Sequence, residues 1–255
     1  MNQERNITRL DAFTYRTLIE GDPVMLIPVG SVEQHGPHMP LGVDMMLSTK
    51  MAELVAEKTG ALVGPTITTG YKSQQRSGGG NHIVGSFGFD AATVIGICRT
   101  FVQEFARHGL KSVAFVNGHY ENYQFIYEGV DLALRDLAVQ GAPQVMLLSY
   151  WDFVTEKVIS RLYPDGFPGW DVEHGGVMET SLMLEYFPDL VRMERIMDLP
   201  AADLPPYDLL PVDPTLTPES GCLSSAREAS AEKGRILAGS IVSGIVDALR
   251  SRFVV

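Results

Sequence analysis

Short apolar runs rich in β-formers alternate along this chain with longer segments of helical period, and this alternation constrains the fold more than any other feature. Residues 24–29 (VMLIPV), 61–66, 112–116 and 145–150 read as strands. Between them, residues 45–58, 93–108 and 121–137 carry apolar side chains at helical spacing, with Gly60 and Gly109 closing the first two. A further helix is expected from near Gly176 to before Pro188, and a last one from about residue 225 to 252. Strands alternating with helices predict a mostly parallel β-sheet flanked by helices on both faces, a three-layer α/β fold. With 255 residues and 45% hydrophobic content, one large domain spanning residues 1–255 is expected, because no Gly- or Ser-rich linker and no internal repeat divides the chain. Two stretches break the rhythm. Residues 70–85 are Gly-rich and polar, long enough for a functional loop, and residues 199–218 are proline-rich and must run as an irregular excursion.

The chemistry concentrates at strand ends. Glu33-Gln34-His35-Gly36-Pro37-His38 follows the first strand, with Asp44 close behind, and Asn117-Gly118-His119-Tyr120-Glu121 follows the third. Open α/β sheets place their sites outside the carboxyl ends of the strands. The pairs Glu33/His35 and His119/Glu121 share an i, i+2 spacing, which in an extended segment turns both side chains to one side. Mixed oxygen and nitrogen donors suit Zn²⁺ or Mn²⁺, and the five residues Glu33, His35, Asp44, His119 and Glu121 exceed what one tetrahedral ion needs. The economical reading is a two-metal site with a shared carboxylate, of the kind that activates water for hydrolysis.

Each of these residues has a plainer reading. Glu33 suits the first turn of a helix, and Asp44 suits the N-cap of a helix beginning at Met45, alone or together with metal binding. His38 fits a supporting partner for Glu33 or His35. His108, before Gly109, complements a helix carboxyl end. A second cluster, Gly169-Trp170-Asp171-Val172-Glu173-His174-Gly175-Gly176 with Glu179 one turn on, offers His174 as a proton donor. Asp171 and Glu173 would orient it or bind a polar substrate, against the alternative of an ordinary charged loop. Trp151 and Trp170 border these loops and would stack on a flat substrate, Trp151 serving equally well as a core anchor.

Composition excludes other classes. A net charge of −11 argues against a nucleic-acid partner. The two cysteines, Cys98 and Cys222, lie far apart, which argues against a disulfide framework and for a reducing compartment; Cys98 falls in an apolar helical pattern as a small core residue. The opening residues are charged where a signal peptide needs an apolar core, and no run reaches the roughly 18–20 apolar residues of a membrane span. A cytoplasmic protein without a membrane partner is expected.

Residues 33–44 (EQHGPHMPLGVD) together with Asn117-Gly118-His119 resemble the creatininase, or creatinine amidohydrolase, family. Tyr71-Lys72-Ser73-Gln74-Gln75, Ser77-Gly78-Gly79-Gly80-Asn81-His82, His119-Tyr120-Glu121-Asn122, Leu148-Ser149-Tyr150-Trp151-Asp152-Phe153 and the Trp170 cluster narrow the resemblance to its creatinine-opening members. It implies a homohexamer with two divalent ions per chain: Mn²⁺ held by Glu33, Asp44 and His119, and Zn²⁺ held by His35, the bridging Asp44 and Glu121. Ser77, Tyr120, Trp170, Asp171 and His174 would contact the substrate, and Trp151 would lie on a closing flap. The implied reaction is reversible hydrolysis of the cyclic amide of creatinine to creatine, a small-molecule substrate and product, by a hydroxide bridging the metals. His174 would protonate the ring nitrogen, and Glu121 would relay the proton lost by water. Glu179 competes for that role, or for a place among the ligands. Another cyclic amide or formamide is the alternative substrate, and a non-catalytic metal-binding protein the alternative class.

Overall fold

The computed structural model describes residues 3–138 and 141–255, so Met1 and Asn2, at the start of the charged opening segment, lie outside it. In chain order the main elements are α1 (Ala12–Ile19), β1 (Met25–Val29), α2 (Val43–Thr59), β2 (Leu62–Val63), α3 (Gln75–Gly78), α4 (Ala91–Arg107), β3 (Ser112–Asn117), α5 (Tyr123–Leu137), β4 (Gln144–Ser149), α6 (Glu156–Leu162), α7 (Val177–Tyr186) and α8 (Ala231–Arg252). The four strands form a parallel sheet in the order β2-β1-β3-β4. Its faces are covered as the alternation of strand residues dictates. Leu26, Ala114 and Val116 point to a layer of α2, α7 and α8, packing on Leu47, Met51, Leu182, Leu237 and Ile241. Met25, Ile27, Val29, Val113 and Phe115 point to the opposite layer, where α4 and α5 contribute Val94, Cys98, Val102, Ile126 and Ala133, and α1 packs Tyr15 and Leu18 beside them. The expected three-layer α/β arrangement is present. Cys98 is a core residue whose burial pushes its thiol up to about 12, which leaves it unreactive.

Local chemistry explains the differences from the sequence reading. The expected strand at residues 61–66 shrinks to Leu62–Val63 because Gly64 and Pro65 interrupt it, and Ile67 rejoins only as an isolated bridge to Val29. The same interruption accommodates Pro28 in the central strand. Its backbone faces the β2 side, where Gly64 donates to Leu26 and Ile67 donates to the Pro28 carbonyl, so its missing N–H falls opposite the break. Three helices escaped the periodicity reading, one of them the four-residue α3 inside the Gly-rich loop. α1 is short and exposed on much of its surface, yet Asp11 caps it by accepting from the N–H groups of Phe13 and Thr14. α6 likewise begins after a capping Thr155. The last helix begins at Ala231 rather than near 225, where Ser230 accepts from Lys233 N–H. Among the described residues, no helix is long and apolar enough to cross a membrane.

Candidate metal centre

β1 connects through α2 to β2 on one side, while β3 and β4 lie on the other, so the chain direction switches between β1 and β3. A crevice opens at such a point, beyond the carboxyl ends of the two strands. Both loops that leave there begin with glycine for a steric reason. A Cβ at Gly30 would lie 2.3 Å from Met45 N, and one at Gly118 would lie 2.7 Å from the Asp44 carbonyl oxygen. Both glycines therefore let the amino end of α2 sit directly against the sheet edge. Asp44 is the second residue of that helix, and the N-cap position belongs to Gly42, which makes no side-chain cap bond. The expectation of Asp44 as N-cap is thus corrected: its carboxylate turns into the crevice.

Three imidazoles converge there, each oriented by a backbone carbonyl. His35 Nδ1 lies 3.2 Å from the Glu33 carbonyl oxygen, His119 Nε2 lies 3.0 Å from that of Tyr71, and His174 Nε2 lies 2.8 Å from that of Gln34. A carbonyl can only accept, so each of these nitrogens carries a proton, and the other ring nitrogen is the one turned to the carboxylates. For His174 the Gln34 amide nitrogen, 3.1 Å away, does not compete, because it already donates to the Gly78 and Gly221 carbonyls. The free nitrogens face carboxylates. His119 Nδ1 is 3.0 Å from both Glu33 Oε1 and Asp44 Oδ2; His35 Nε2 is 3.0 Å from Asp44 Oδ1 and 3.6 Å from Glu179 Oε1; His174 Nδ1 is 3.8 Å from Glu33 Oε1. His35 Nε2, Asp44 Oδ2 and Glu33 Oε2 are buried without a hydrogen-bond partner among the described residues, although donors and acceptors crowd them. Close approach without hydrogen-bond geometry is what atoms aimed at a shared ion produce.

The donor set fits divalent metal. Glu33, Asp44 and His119 form one group whose ligand atoms lie within 4.8 Å of one another, and His35, Asp44 and Glu179 form a second, so Asp44 is common to both. Glu33, His35 and His174 form a third. Burial opposes charge on His35 and His119, yet the carboxylates outweigh it and hold both imidazoles well above their ordinary pKa. Burial likewise opposes charge on Asp44, and His35 and His119 more than compensate, keeping it ionised. Protons on the imidazoles thus occupy the electrostatic place that divalent cations would take, and binding metal would release them.

The sequence placed Glu121 with His35 and Asp44, whereas the structure groups Glu179 with them. Glu121 sits beyond His119: its Oε1 accepts from Gln74 N–H at 2.6 Å and Ser77 O–H at 2.7 Å, and its Oε2 lies 3.2 Å from His119 Nε2. Tyr120, Glu121 and Asn122 form a 3-10 turn, so the extended-chain argument for the second i, i+2 pair does not apply to it. Glu179 offers one oxygen to the crevice and uses the other to accept from Gly175 N–H at 2.7 Å. Glu173 anchors the same loop, accepting from Met178 N–H and Tyr163 O–H, and burial pushes its carboxyl up to about 7. His38 does not support Glu33 or His35; its Nε2 pairs with Thr180 Oγ1 on α7 at 2.8 Å.

Above the ligands opens a cavity of about 320 Å³, at the small end of ligand pockets. Its wall includes Ser77, Tyr120, Trp151, Trp170, Asp171 and Glu173 from the sequence reading, with Glu33, Asp44, His119, Glu121, His174 and Glu179 also lining it. Trp170 is 44% exposed and Tyr120 68% exposed, so these two aromatics stand at the rim. The sequence reading assigned no role to Arg76, Tyr150 or Asp208, which also line the cavity. Tyr150 had a legible signal, since it directly follows a strand as the ligand loops do.

The sequence profile described as creatinine amidohydrolase matches residues 8–249. The chain belongs to the creatinine amidohydrolase family. A creatinine amidohydrolase of Pseudomonas putida is 54% identical to it over 236 residues, covering 91% of each chain. A solved structure of a creatininase with Mn matches at a TM-score of 0.96 and 50% identity, covering 98% of this chain and 99% of that one. A mutant creatininase complexed with creatine matches with the same score, identity and coverage. Membership of the family makes the chain a metal-binding hydrolase, and the donor set described above is consistent with that chemistry.

Proposed function

We propose that this chain opens the cyclic amide of creatinine to creatine, reversibly, acting as one metallohydrolase domain over residues 1–255 with two divalent ions. The observation that carries the reading is the stacking of an aromatic-rimmed cavity directly over a donor set with a shared carboxylate. Glu33, Asp44 and His119 would hold one ion, and His35, Asp44 and Glu179 the other. When bound, the pair would supply Lewis acidity and an activated water. The residues of the chain do the rest. Trp170 and Tyr120, with Trp151 beside them, orient a flat ring by stacking, and Ser77 fixes the carboxylate of Glu121. Exposed Asp171 lies at the rim, where its carboxylate would accept from the N–H groups of the substrate's guanidine portion. His174, with Nε2–H donating to the Gln34 carbonyl, delivers a proton from Nδ1 to the departing ring nitrogen and regains one from the water by way of Glu121. Glu121, next to His119 Nε2, accepts the proton that water loses. The same reading extends to Mn²⁺ at the Glu33 group and Zn²⁺ at the His35 group, a homohexamer, and a cytoplasmic location.

The test is creatine formation from creatinine by purified protein, before and after chelation and with Mn²⁺ or Zn²⁺ restored. Turnover lost on chelation and regained with metal is the expected result. No turnover by protein carrying two metals would move the assignment to another cyclic amide.

A further inference from the structure

Tyr150 is the first residue beyond β4, the strand next to β3, and it reaches the crevice from the same sheet edge as the ligand loops. Ser149, just before it, accepts a hydrogen bond from Asn117 Nδ2 at 3.2 Å, which ties the end of β4 to the end of β3. The ring is held firmly. It is 3% exposed, belongs to the core layer of α2, α7 and α8, and meets Trp151 edge-on with centroids 5.3 Å apart. Nevertheless, Tyr150 lines the cavity, as do the candidate ligand residues and the apolar Val154, Met178, Leu182, Leu237 and Ile241.

A buried phenol normally spends its hydroxyl on a protein partner. Tyr163 does so, donating to Glu173 Oε2 at 2.9 Å, and Ser77 gives its hydroxyl to Glu121. The Tyr150 hydroxyl makes no hydrogen bond to any described residue, although its ring is as well anchored as any in the core. We propose that Tyr150 is a catalytic residue whose hydroxyl donates a hydrogen bond to the carbonyl oxygen of the substrate as that oxygen becomes an oxyanion.

Three features suit it to the task. Burial pushes its hydroxyl well above the ordinary range for a phenol, which favours the protonated, donor form. No proton changes hands; the O–H bond persists and only the hydrogen bond strengthens. The apolar wall limits competing water and raises the value of that bond in the transition state over the ground state.

The assignment rests on the creatinine reading, and one experiment separates the two. Creatinine turnover, bound metal and thermal stability are measured for the metal-loaded wild type and for Tyr150→Phe, which removes only the hydroxyl. The expected result is a kcat roughly 10²-fold lower, the scale of losing one oxyanion donor. KM should stay within about threefold, both metals should be retained and Tm should be unchanged or slightly higher, because no protein partner is orphaned. An active wild type with an equally active Tyr150→Phe variant would overturn the assignment alone. Metal loss from the variant would also overturn it, making Tyr150 a support for the ligands. A metal-loaded wild type idle towards creatinine would instead overturn the functional reading, and the assignment with it.

Discussion

The loop after β1 and the loop before α7 both bring ionisable side chains to one crevice, but they are built differently. In the first, Glu33 and His35, with Asp44 of the following helix α2, are almost fully buried, and the carbonyl of Glu33 fixes the His35 ring. In the second, the carboxyl end is fastened by Glu173 to Met178 N–H and by Glu179 to Gly175 N–H, while Trp170 and Asp171 at the amino end are exposed, Trp170 resting edge-on against Phe167. The contrast separates two requirements. Metal ligands must be held in place before the ion arrives, since any reorganisation subtracts from affinity. Substrate contacts must admit and release a ligand, so their loop keeps one open end. His174 lies at the junction, buried like the first loop but carried by the second.

Substitutions in the two loops should therefore fail in different ways. The largest effect is expected from Asp44→Ala, which removes the carboxylate common to both groups: both metals should be lost and turnover should fall by roughly 10³-fold or more, the scale of a missing catalytic group. Metal analysis alongside kinetics checks this, and a variant that keeps two ions would break the shared-ligand reading. His174→Asn should retain both metals and lower kcat by about 10²–10⁴-fold, as expected for an acid–base residue. If metal left with it, His174 would belong to the ligand half, as its grouping with Glu33 and His35 permits. Trp170→Ala should act mainly on KM, raising it about tenfold with kcat within a few-fold, as for the loss of one stacked aromatic. An equal fall in kcat would show that the open end orients the reaction as well as the substrate.

The smallest effect concerns Glu173 and pH. Its carboxyl is raised by burial from 4.5 to about 7. Between those values the folded chain holds a proton that the unfolded chain has released, so the contribution to stability is complete below about pH 4.5 and is lost as the pH rises through 7. Glu173→Gln keeps an acceptor for Met178 N–H and cannot ionise. Chemical denaturation at about pH 5 and about pH 8 should show a smaller loss of stability in this variant than in the wild type. Equal losses would mean that the anchored end is less tightly enclosed than the structure shows.

Much of this architecture was legible in local pattern. The apolar runs located β1, β3 and β4, and the helical periods located α2, α4, α5 and α7, because burial on one or both faces writes itself into residue order. α1 and α6 left weaker traces: they are short, and their clearest signals are the single capping residues Asp11 and Thr155. β2 was overextended because a run of β-formers outweighed the interrupting Gly64-Pro65. In the site, donor types and strand-end positions pointed to Glu33, His35, Asp44, His119 and Glu121. They did not show that Glu121 is bound up with Ser77 and Gln74 while Glu179 faces His35, because a turn and a helix from separate parts of the chain decide it.

The sequence by itself determined the layer order, the supply of carboxylate and imidazole donors at strand ends, and the family to which they belong. Only the tertiary structure decided which donors meet. α2 approaches the sheet edge through the open faces of Gly30 and Gly118, and α7 with the loop before it brings Glu179 and His174 against His35 and Glu33 from far along the chain. Periodicity records which side of an element is buried; it carries no information about which distant side chain shares that burial, and a metal site is defined by that second property.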